Sequence, residues 1–221
     1  TGHALASIEQ LKKHRLIGGR GGVFPVLDAA LALDAPDAAR QTFVRLSLED
    51  TDRRVAEGRS VVPSFMLACL LWHDVLERWS ALKADGEAPV PALQQAVDAV
   101  FDARIGDISG RGKLAADMRE IWLMQPRFER RTPSSAPSLV NQPRFRAGYD
   151  FLRLRADCGE VAPELADWWE DFHLGDDEER EALLQDLRAT MPPRVRRVPA
   201  AEASAPRAPA PRAEAGATDG P

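Results

Sequence analysis

The sequence predicts an all-α protein that ends in a disordered tail, and three observations support this fold class. Isoleucine and threonine are scarce, whereas alanine, leucine, arginine and glutamate, which favour helices, are abundant. Between residues 1 and 191 no alternation of apolar and polar residues lasts long enough to mark a strand. Beyond residue 191 the chain is dominated by proline and alanine and has few apolar side chains that could bury surface.

Three helices are predicted in the first half of the chain. The first covers about residues 37–57, carries apolar residues such as Phe43, and ends at Gly58. The second begins at Pro63, where the missing N–H of proline loses no hydrogen bond, and it presents a broad apolar surface. The third begins near Pro91 and carries apolar residues at steps of three and four. Each helix can bury one face, and 221 residues suffice for a substantial core.

Four more helices are predicted in the second half. The first keeps the same apolar spacing until Pro126, which we expect to kink or end it. Pro143 and Pro163 begin two further helices, which carry aromatic residues at helical spacing. Asp176 is placed to cap the last helix, whose acidic first turn suits the positive end of the helix dipole.

The net charge of −5 conceals an uneven distribution. Residues 111–155 carry ten basic and four acidic groups, whereas residues 156–191 carry two basic and twelve acidic groups. The basic block could contact phosphate groups, or its arginines could pair with the acidic segment that follows. Charge alone favours the second interpretation.

Cysteine usage and the absence of long apolar runs predict a cytoplasmic protein without a membrane partner. No run approaches the roughly 18 apolar residues of a membrane helix, and no signal peptide is evident. Cys69 and Cys158 lie far apart and show no disulfide pattern, as expected in a reducing compartment. The chain begins with Thr1 rather than methionine, so we expect it to be a piece of a longer protein.

Short motifs that suggest catalytic or metal sites are incomplete in this sequence. Asp50 and Asp52 have the spacing of a two-metal nucleotidyl-transfer site, but they lie on a predicted helix, where such residues face different ways. The pair His73-Asp74 lacks the further histidine and aspartate of a metal-dependent phosphohydrolase. The glycines at 18–22 lack the lysine and hydroxyl residue of a phosphate-binding loop and predict a flexible connection. We therefore expect no catalytic, metal-binding or cofactor-binding residue in this chain.

The remaining candidates are arginines of the basic block. Arg127, Arg130 and Arg131 follow one apolar helical segment, and Arg144 and Arg146 lie near the start of the next. Guanidinium groups match phosphate oxygens, and aromatic side chains such as those between the arginines can stack on unpaired bases. For the aromatic residues we favour burial in the core. For several of the arginines we favour phosphate binding.

Segments spread over residues 1–173 follow the order of a known family. They are Gly2-His3-Ala4, Leu11, Leu16 and Phe24-Pro25; Thr51-Asp52-Arg53, Gly58, Pro63, Phe65, Ala68 and Trp72; Arg119–Trp122, Gln125, Arg127, Arg130 and Arg131; Pro143–Leu152 and Leu154–Ala156; and Trp168-Trp169 with Phe172. The most specific are PRFRAGYDFL at 143–152 and the tryptophan pair. Together they resemble the C-terminal region of the bacterial poly(A) polymerase I family, in the class II nucleotidyltransferase superfamily.

The resemblance implies a fold and a role. Family members add adenylate residues from ATP to RNA 3′ ends, which promotes RNA processing and decay, and their α/β head holds the metal-binding aspartates. The region present here resembles the helical body and legs that hold RNA. The head would precede Thr1, so the chain alone is expected to be inactive, with ATP and Mg²⁺ as cofactors of the complete enzyme only. Its expected partners are single-stranded RNA 3′ ends and its own head domain.

The resemblance also divides the chain into four parts. They are the end of a helical neck (1–35), a helical body (36–110), an arginine-rich helical RNA-binding domain (111–191) and the disordered tail (192–221). The expected RNA-binding residues are Arg127, Arg130, Arg131, Arg144, Arg146, Arg194, Arg196 and Arg197. The chain departs from the family in two places, since glycines replace a usual proline near 108–111 and the tail is less basic.

Two alternative functions remain open. A CCA-adding tRNA nucleotidyltransferase shares the head and neck of the poly(A) polymerases, although the PRFRAGYDFL segment and the arginines point away from it. A non-catalytic helical module could instead use the acidic stretch Asp176–Glu179 and the tail to bind a basic partner.

Overall fold

A computed structural model describes residues 3–14, 38–104 and 112–190 of the chain. Within these ranges it contains nine helices and no strand, which confirms the predicted all-α fold class. The helices are α1 (Ala4–Lys13), α2 (Ala38–Ala56), α3 (Pro63–Ala84), α4 (Pro89–Arg104), α5 (Lys113–Arg130), α6 (Ala136–Val140), α7 (Phe145–Asp157), α8 (Pro163–Leu174) and α9 (Asp177–Thr190). None of these described helices is long and apolar enough to span a membrane.

The chain divides into two compact units, Thr1–Ala189 and Thr190–Pro221. The described helices belong to the first unit, apart from the last residue of α9. The predicted glycine-rich connection at 18–22 and the predicted tail at 192–221 lie outside the described residues. The four-part division of the chain therefore stays a prediction.

Glycine follows the ends of α2 and α3, and the end of α2 at Gly58 and the start of α3 at Pro63 are as predicted. Gly58 follows α2 with a φ of 73°, and Gly86 follows α3 with a φ of 93°. A positive φ is strained for a residue with a Cβ, so glycine ends both helices without that strain. α3 begins at Pro63 itself, whereas α4 begins at Pro89, two residues before the expected Pro91.

Of the two outcomes expected at Pro126, a kink or the end of the helix, the second is wrong, because α5 continues to Arg130. The proline lacks the N–H that would bond the carbonyl of Trp122, and this loss weakens the helix. Burial offsets the loss, because Met124 and Phe128 on either side of the proline are enclosed in the core. Tertiary packing therefore extends this helix beyond the residue where the local sequence favours its end.

Local sequence signals also place the starts of the last three helices. Pro163 is the first residue of α8, and α7 begins at Phe145, two residues after Pro143. Asp176 caps α9 as predicted, since its Oδ1 accepts a hydrogen bond from the N–H of Glu179 at 2.9 Å. In return, Oε2 of Glu179 accepts one from the N–H of Asp176, also at 2.9 Å. This reciprocal capping box satisfies two backbone donors that the helix itself cannot pair.

The first of two hydrophobic clusters lies among α2, α3, α4, the first part of α5 and part of α7. Its centre is aromatic: the ring centroid of Phe151, on α7, lies 5.2 Å from that of Trp72 and 5.5 Å from that of Phe43. Both contacts are edge to face, and all three rings are fully buried. The cluster therefore fixes α7 against α2 and α3.

The second hydrophobic cluster lies among the end of α5 and helices α6 to α9. At its centre, the ring centroid of Trp169 lies 5.0 Å from that of Phe128 and 6.2 Å from that of Phe145. The indole Nε1 of Trp169 donates a hydrogen bond of 3.1 Å to the carbonyl of Phe128. That carbonyl belongs to the last turn of α5, where helices run out of backbone donors, so Trp169 caps α5 from another helix.

α5 and α7 pack against each other and contribute side chains to both clusters. Gly148 permits their close approach, because a Cβ at this position would lie 2.7 Å from Sδ of Met124 and 3.2 Å from the ring of Phe128. Phe145 and Tyr149 are buried in the second cluster. Their burial confirms the interpretation of these aromatic residues as core.

Candidate nucleic-acid interface

The predicted RNA-binding arginines form two groups on the helices. Arg127 and Arg130 lie in the last turn of α5, and Arg131 is its C-cap. Arg144 is the N-cap of α7, and Arg146 lies in its first turn. The other three lie outside the described residues: Arg194, Arg196 and Arg197.

Arg144 and Arg146 are engaged by carboxylates. Arg144 donates a hydrogen bond to Asp117, and its Nε lies 3.6 Å from Oε2 of Glu120, both on α5. Nε of Arg146 lies 2.9 Å from Oδ1 of Asp150, one turn further along α7. These carboxylates offset the positive charge that the two arginines would present to a phosphate.

Arg127, Arg130 and Arg131 have no carboxylate partner in the part of the chain that the structure describes. Nη2 of Arg127 lies 3.5 Å from the hydroxyl of Ser138, and Arg130 is exposed. The guanidinium carbon of Arg131 lies 5.0 Å from the ring centroid of Trp168, and partial burial lowers the pKa of Arg131 from its ordinary value. The end of α5, with these three residues, therefore presents uncompensated positive charge; we call it the arginine cluster.

The two groups of arginines lie at different positions along α5. Asp117, which binds Arg144, is the fifth residue of the helix, and Arg127 follows it by ten residues. At a rise of 1.5 Å per residue, they are about 15 Å apart along the axis. The structure therefore does not bring the two groups together at one point of the helix, and their role in RNA binding stays a prediction.

Two further arginines of the basic block stabilise the fold. Arg155 is buried, with Nη1 2.8 Å from Oε1 of Glu129 and Nε 3.1 Å from Oε2 of Glu160. Nη1 of Arg153 lies 2.7 Å from Oδ1 of Asp167 on α8. Glu160 and Asp167 belong to the acidic segment, so charge pairing with that segment, one of the two sequence interpretations, holds at these arginines.

A pocket of about 410 Å³ adjoins the arginine cluster. It lies between the end of α3, the start of α4 and the end of α5. Its lining residues are Trp79, Lys83, Pro89, Val90, Pro126, Arg127, Glu129 and Arg130. Sequence reasoning does not single out Lys83, because a lysine in the last turn of a helix is common and stabilises the helix dipole.

The residues of the two incomplete metal motifs face separate neighbours. Oδ2 of Asp50 accepts a hydrogen bond from Nε of Arg54 at 2.8 Å. Oδ1 of Asp52 accepts one from the N–H of Ala4 at 2.6 Å, at the start of α1. Among the described residues, no group of three or more histidine, cysteine, aspartate and glutamate side chains could hold a metal ion.

His73, from the second motif, belongs to a buried polar cluster around Glu160. Nε2 of His73 lies 3.1 Å from Oε1 of Glu160, whose Oε2 accepts a hydrogen bond of 2.8 Å from the indole of Trp72. Burial alone raises the pKa of Glu160, but the contacts with His73, Trp72 and Arg155 outweigh it and hold that pKa below its ordinary value. The ionised carboxylate therefore stabilises the junction of α3 and α7.

The Glu160→Gln variant is expected to reduce the dependence of stability on acidic pH. Because the pKa of Glu160 is lower in the folded state, its contribution is complete above the ordinary value of 4.5 and is lost as the pH falls through the folded value. Urea denaturation between about pH 6 and pH 3 should show a shallower decline for the variant. Glu49→Gln, in an exposed pair with Arg45, serves as control. Equal pH dependence of Glu160→Gln and wild type would contradict this role.

The fold and the site define the class of the protein: an all-helical domain with uncompensated arginines at the end of one helix. Residues 85–202 match the sequence profile of a family described as "Polymerase A arginine-rich C-terminus". This match covers more than half of the chain, and the chain belongs to this family.

Curated relatives agree with the family match. The chain is 30% identical over 187 residues to poly(A) polymerase I of Haemophilus influenzae, a region that covers 82% of this chain and 41% of the relative. It is 29% identical over 217 residues to poly(A) polymerase I of Salmonella typhi, which covers 97% of this chain and 44% of the relative. The resemblance to the C-terminal part of bacterial poly(A) polymerase I is thereby confirmed. The chain spans less than half the length of these relatives.

Proposed function

We propose that this chain is the RNA-holding part of a polynucleotide adenylyltransferase, which adds poly(A) to single-stranded RNA 3′ ends from ATP in the cytoplasm and so promotes RNA processing and decay. The family match and the relatives named poly(A) polymerase I support this function over the CCA-adding and the non-catalytic alternatives. The observation that carries the proposal is the arginine cluster, which has no carboxylate partner among the described residues.

The end of α5 can support this positive charge for two reasons. The C-terminal carbonyls are the negative pole of the helix dipole, and they reduce the repulsion among arginines close in sequence. The ring of Trp168 holds the Arg131 guanidinium without neutralising it. The charge therefore stays available to phosphate oxygens, which guanidinium groups bind through paired hydrogen bonds.

Adenylyl transfer is assigned to the rest of the enzyme. In this proposal ATP and Mg²⁺ bind the head domain of the complete enzyme, and no residue of this chain has a catalytic role. The chain contributes affinity for the RNA strand, which keeps the 3′ end near the head through successive additions.

Replacing the three residues of the arginine cluster together with alanine is expected to weaken binding of single-stranded RNA about tenfold or more at low salt, whatever the RNA sequence. Each lost phosphate contact removes about 0.7 from the slope of log affinity against log salt, so the slope should flatten by about 2. Fluorescence anisotropy with a labelled oligonucleotide at several KCl concentrations measures both quantities.

A second triple variant controls for net charge. Arg45, Arg53 and Arg188 are at least half exposed and each pairs with a carboxylate. Their replacement with alanine removes the same charge and should change the affinity by no more than about twofold. Equal losses in the two triple variants would mean that net charge alone controls binding. Unchanged affinity in the first variant would exclude the arginine cluster as the RNA site.

A further inference from the structure

The pocket beside the arginine cluster combines cationic and apolar groups from three helices. Lys83 comes from the end of α3, Val90 from the start of α4, and Arg127 and Arg130 from the end of α5. Its volume of about 410 Å³ lies within the range of roughly 300–1,000 Å³ that is typical of small-ligand sites.

The positive charge of this pocket is offset only in part by the one carboxylate in its lining. Oε1 of Glu129 lies 2.8 Å from Nη1 of the buried Arg155 and is therefore engaged by the core. Lys83 is exposed and, like Arg127 and Arg130, has no carboxylate partner among residues 3–14, 38–104 and 112–190. Three cations thus share one cavity with a single, already paired, acid.

Lys83 is held in place by an aromatic residue of the pocket wall. Nζ of Lys83 lies 3.9 Å from the ring centroid of Trp79. The indole of Trp79 donates a hydrogen bond of 2.8 Å to the carbonyl of Pro89, which fixes the ring between α3 and the start of α4. Lys83 is therefore oriented by a rigid aromatic face rather than by a counter-ion.

An exposed apolar surface lies among the cations. Val90 is 46% exposed although it is a large hydrophobic residue, and Pro89 and Pro126 line the same pocket. A nucleotide carries the matching chemistry, since it joins an anionic phosphate to a base whose face can pack on apolar groups. A metal ion or an inorganic phosphate has no apolar surface that could pack against Val90.

We propose that this pocket binds one nucleotide of a single-stranded RNA, with Lys83, Arg127 and Arg130 on the adjacent phosphates and the base against Val90 and Pro126. The proposal rests on the proposed RNA-holding function and extends it from the arginine cluster to residues on α3 and α4. Because the base must leave any duplex to reach Val90, the pocket distinguishes single-stranded from double-stranded RNA.

Two single variants test the two halves of the pocket. Lys83→Ala should weaken binding of a single-stranded oligonucleotide and flatten the slope of log affinity against log salt by about 0.7. Lys83→Arg should retain the wild-type affinity and the wild-type slope. Val90→Ser should weaken the affinity for the same oligonucleotide about threefold to fivefold and leave the salt slope unchanged, because the substitution removes an apolar contact and no charge. The affinity for a duplex of equal length should fall with Lys83→Ala and stay unchanged with Val90→Ser.

Matched controls exist for both variants. Lys13, the last residue of α1, is exposed. Leu174, the last residue of α8, is an exposed apolar residue, as is Val90, but it lines a different pocket. Lys13→Ala and Leu174→Ser should both leave RNA binding at the wild-type level, and circular dichroism verifies the helical fold of all variants.

The outcomes separate this inference from the proposed function. If the triple arginine variant loses RNA while Lys83→Ala and Val90→Ser bind normally, the nucleotide pocket is excluded and the RNA-holding function stands. If the wild-type chain does not bind RNA at low salt, both fail. Direct binding of free ATP distinguishes the remaining source of nucleotide. ATP binding that is lost in Lys83→Ala and Val90→Ser, while both variants bind RNA at the wild-type level, would assign the pocket to free nucleotide and overturn the proposal.

Discussion

Replacing Arg155 with alanine is expected to lower the free energy of unfolding by about 3–5 kcal/mol, because a buried ion pair would lose one partner. The guanidinium joins Glu129 and Glu160, donates to Oε1 of Gln125 at 3.2 Å and lies 4.9 Å from the ring centroid of Trp72. Its removal leaves Glu160 in the core without its cationic partner. Urea denaturation followed by circular dichroism measures the loss.

Arg188→Ala is the matched control for Arg155→Ala. Arg188 pairs with Glu181 at 2.7 Å, but both side chains are about half exposed, so its loss should change stability by no more than about 1 kcal/mol. Arg155→Lys keeps the charge but loses the planar guanidinium group. Its free energy of unfolding should therefore lie between those of wild type and Arg155→Ala. A loss below about 1 kcal/mol for Arg155→Ala would contradict the stabilising role of this buried ion pair.

Trp169→Ala is expected to destabilise the protein by about 3–5 kcal/mol, since it removes the central side chain of the second hydrophobic cluster and leaves a cavity. Trp169→Phe retains most of the buried aromatic surface but leaves the carbonyl of Phe128 without the donor that caps α5. This variant should therefore lower the free energy of unfolding by about 1–3 kcal/mol. Thermal and urea denaturation of both variants separates ring burial from the capping hydrogen bond. Equal losses in the two variants would contradict ring burial as the larger contribution.

The sequence alone predicts a helix end correctly where that end depends only on residues close to it in the chain. Pro63, Gly58 and the Asp176–Glu179 capping box act within one turn, so their sequence pattern predicts their structure. Pro126 shows the limit of prediction from local sequence. The burial of Phe128 against Trp169, 41 residues away, decides that α5 continues, and no local pattern contains that contact.

The candidate site was predicted only in part for the same reason. The arginine pattern makes Arg127 and Arg144 equal candidates, but only the fold shows that Asp117 engages Arg144. Likewise, Arg155 resembles its neighbours in sequence, yet its partners Glu129 and Glu160 place it in the core. Lys83 joins the pocket because α3 ends beside α5, which depends on helix packing rather than on sequence proximity.

The shared use of α5 and α7 by both hydrophobic clusters has a thermodynamic consequence for ligand binding. Neither cluster can open without disturbing the helix that carries the arginine cluster at its end. A ligand that binds only the folded form shifts the folding equilibrium in proportion to its concentration over its dissociation constant. If RNA binds the end of α5 as proposed, it should therefore protect the distant Phe43–Trp72–Phe151 centre from unfolding, and a destabilising substitution at that centre should lower the apparent affinity for RNA without removing any RNA contact.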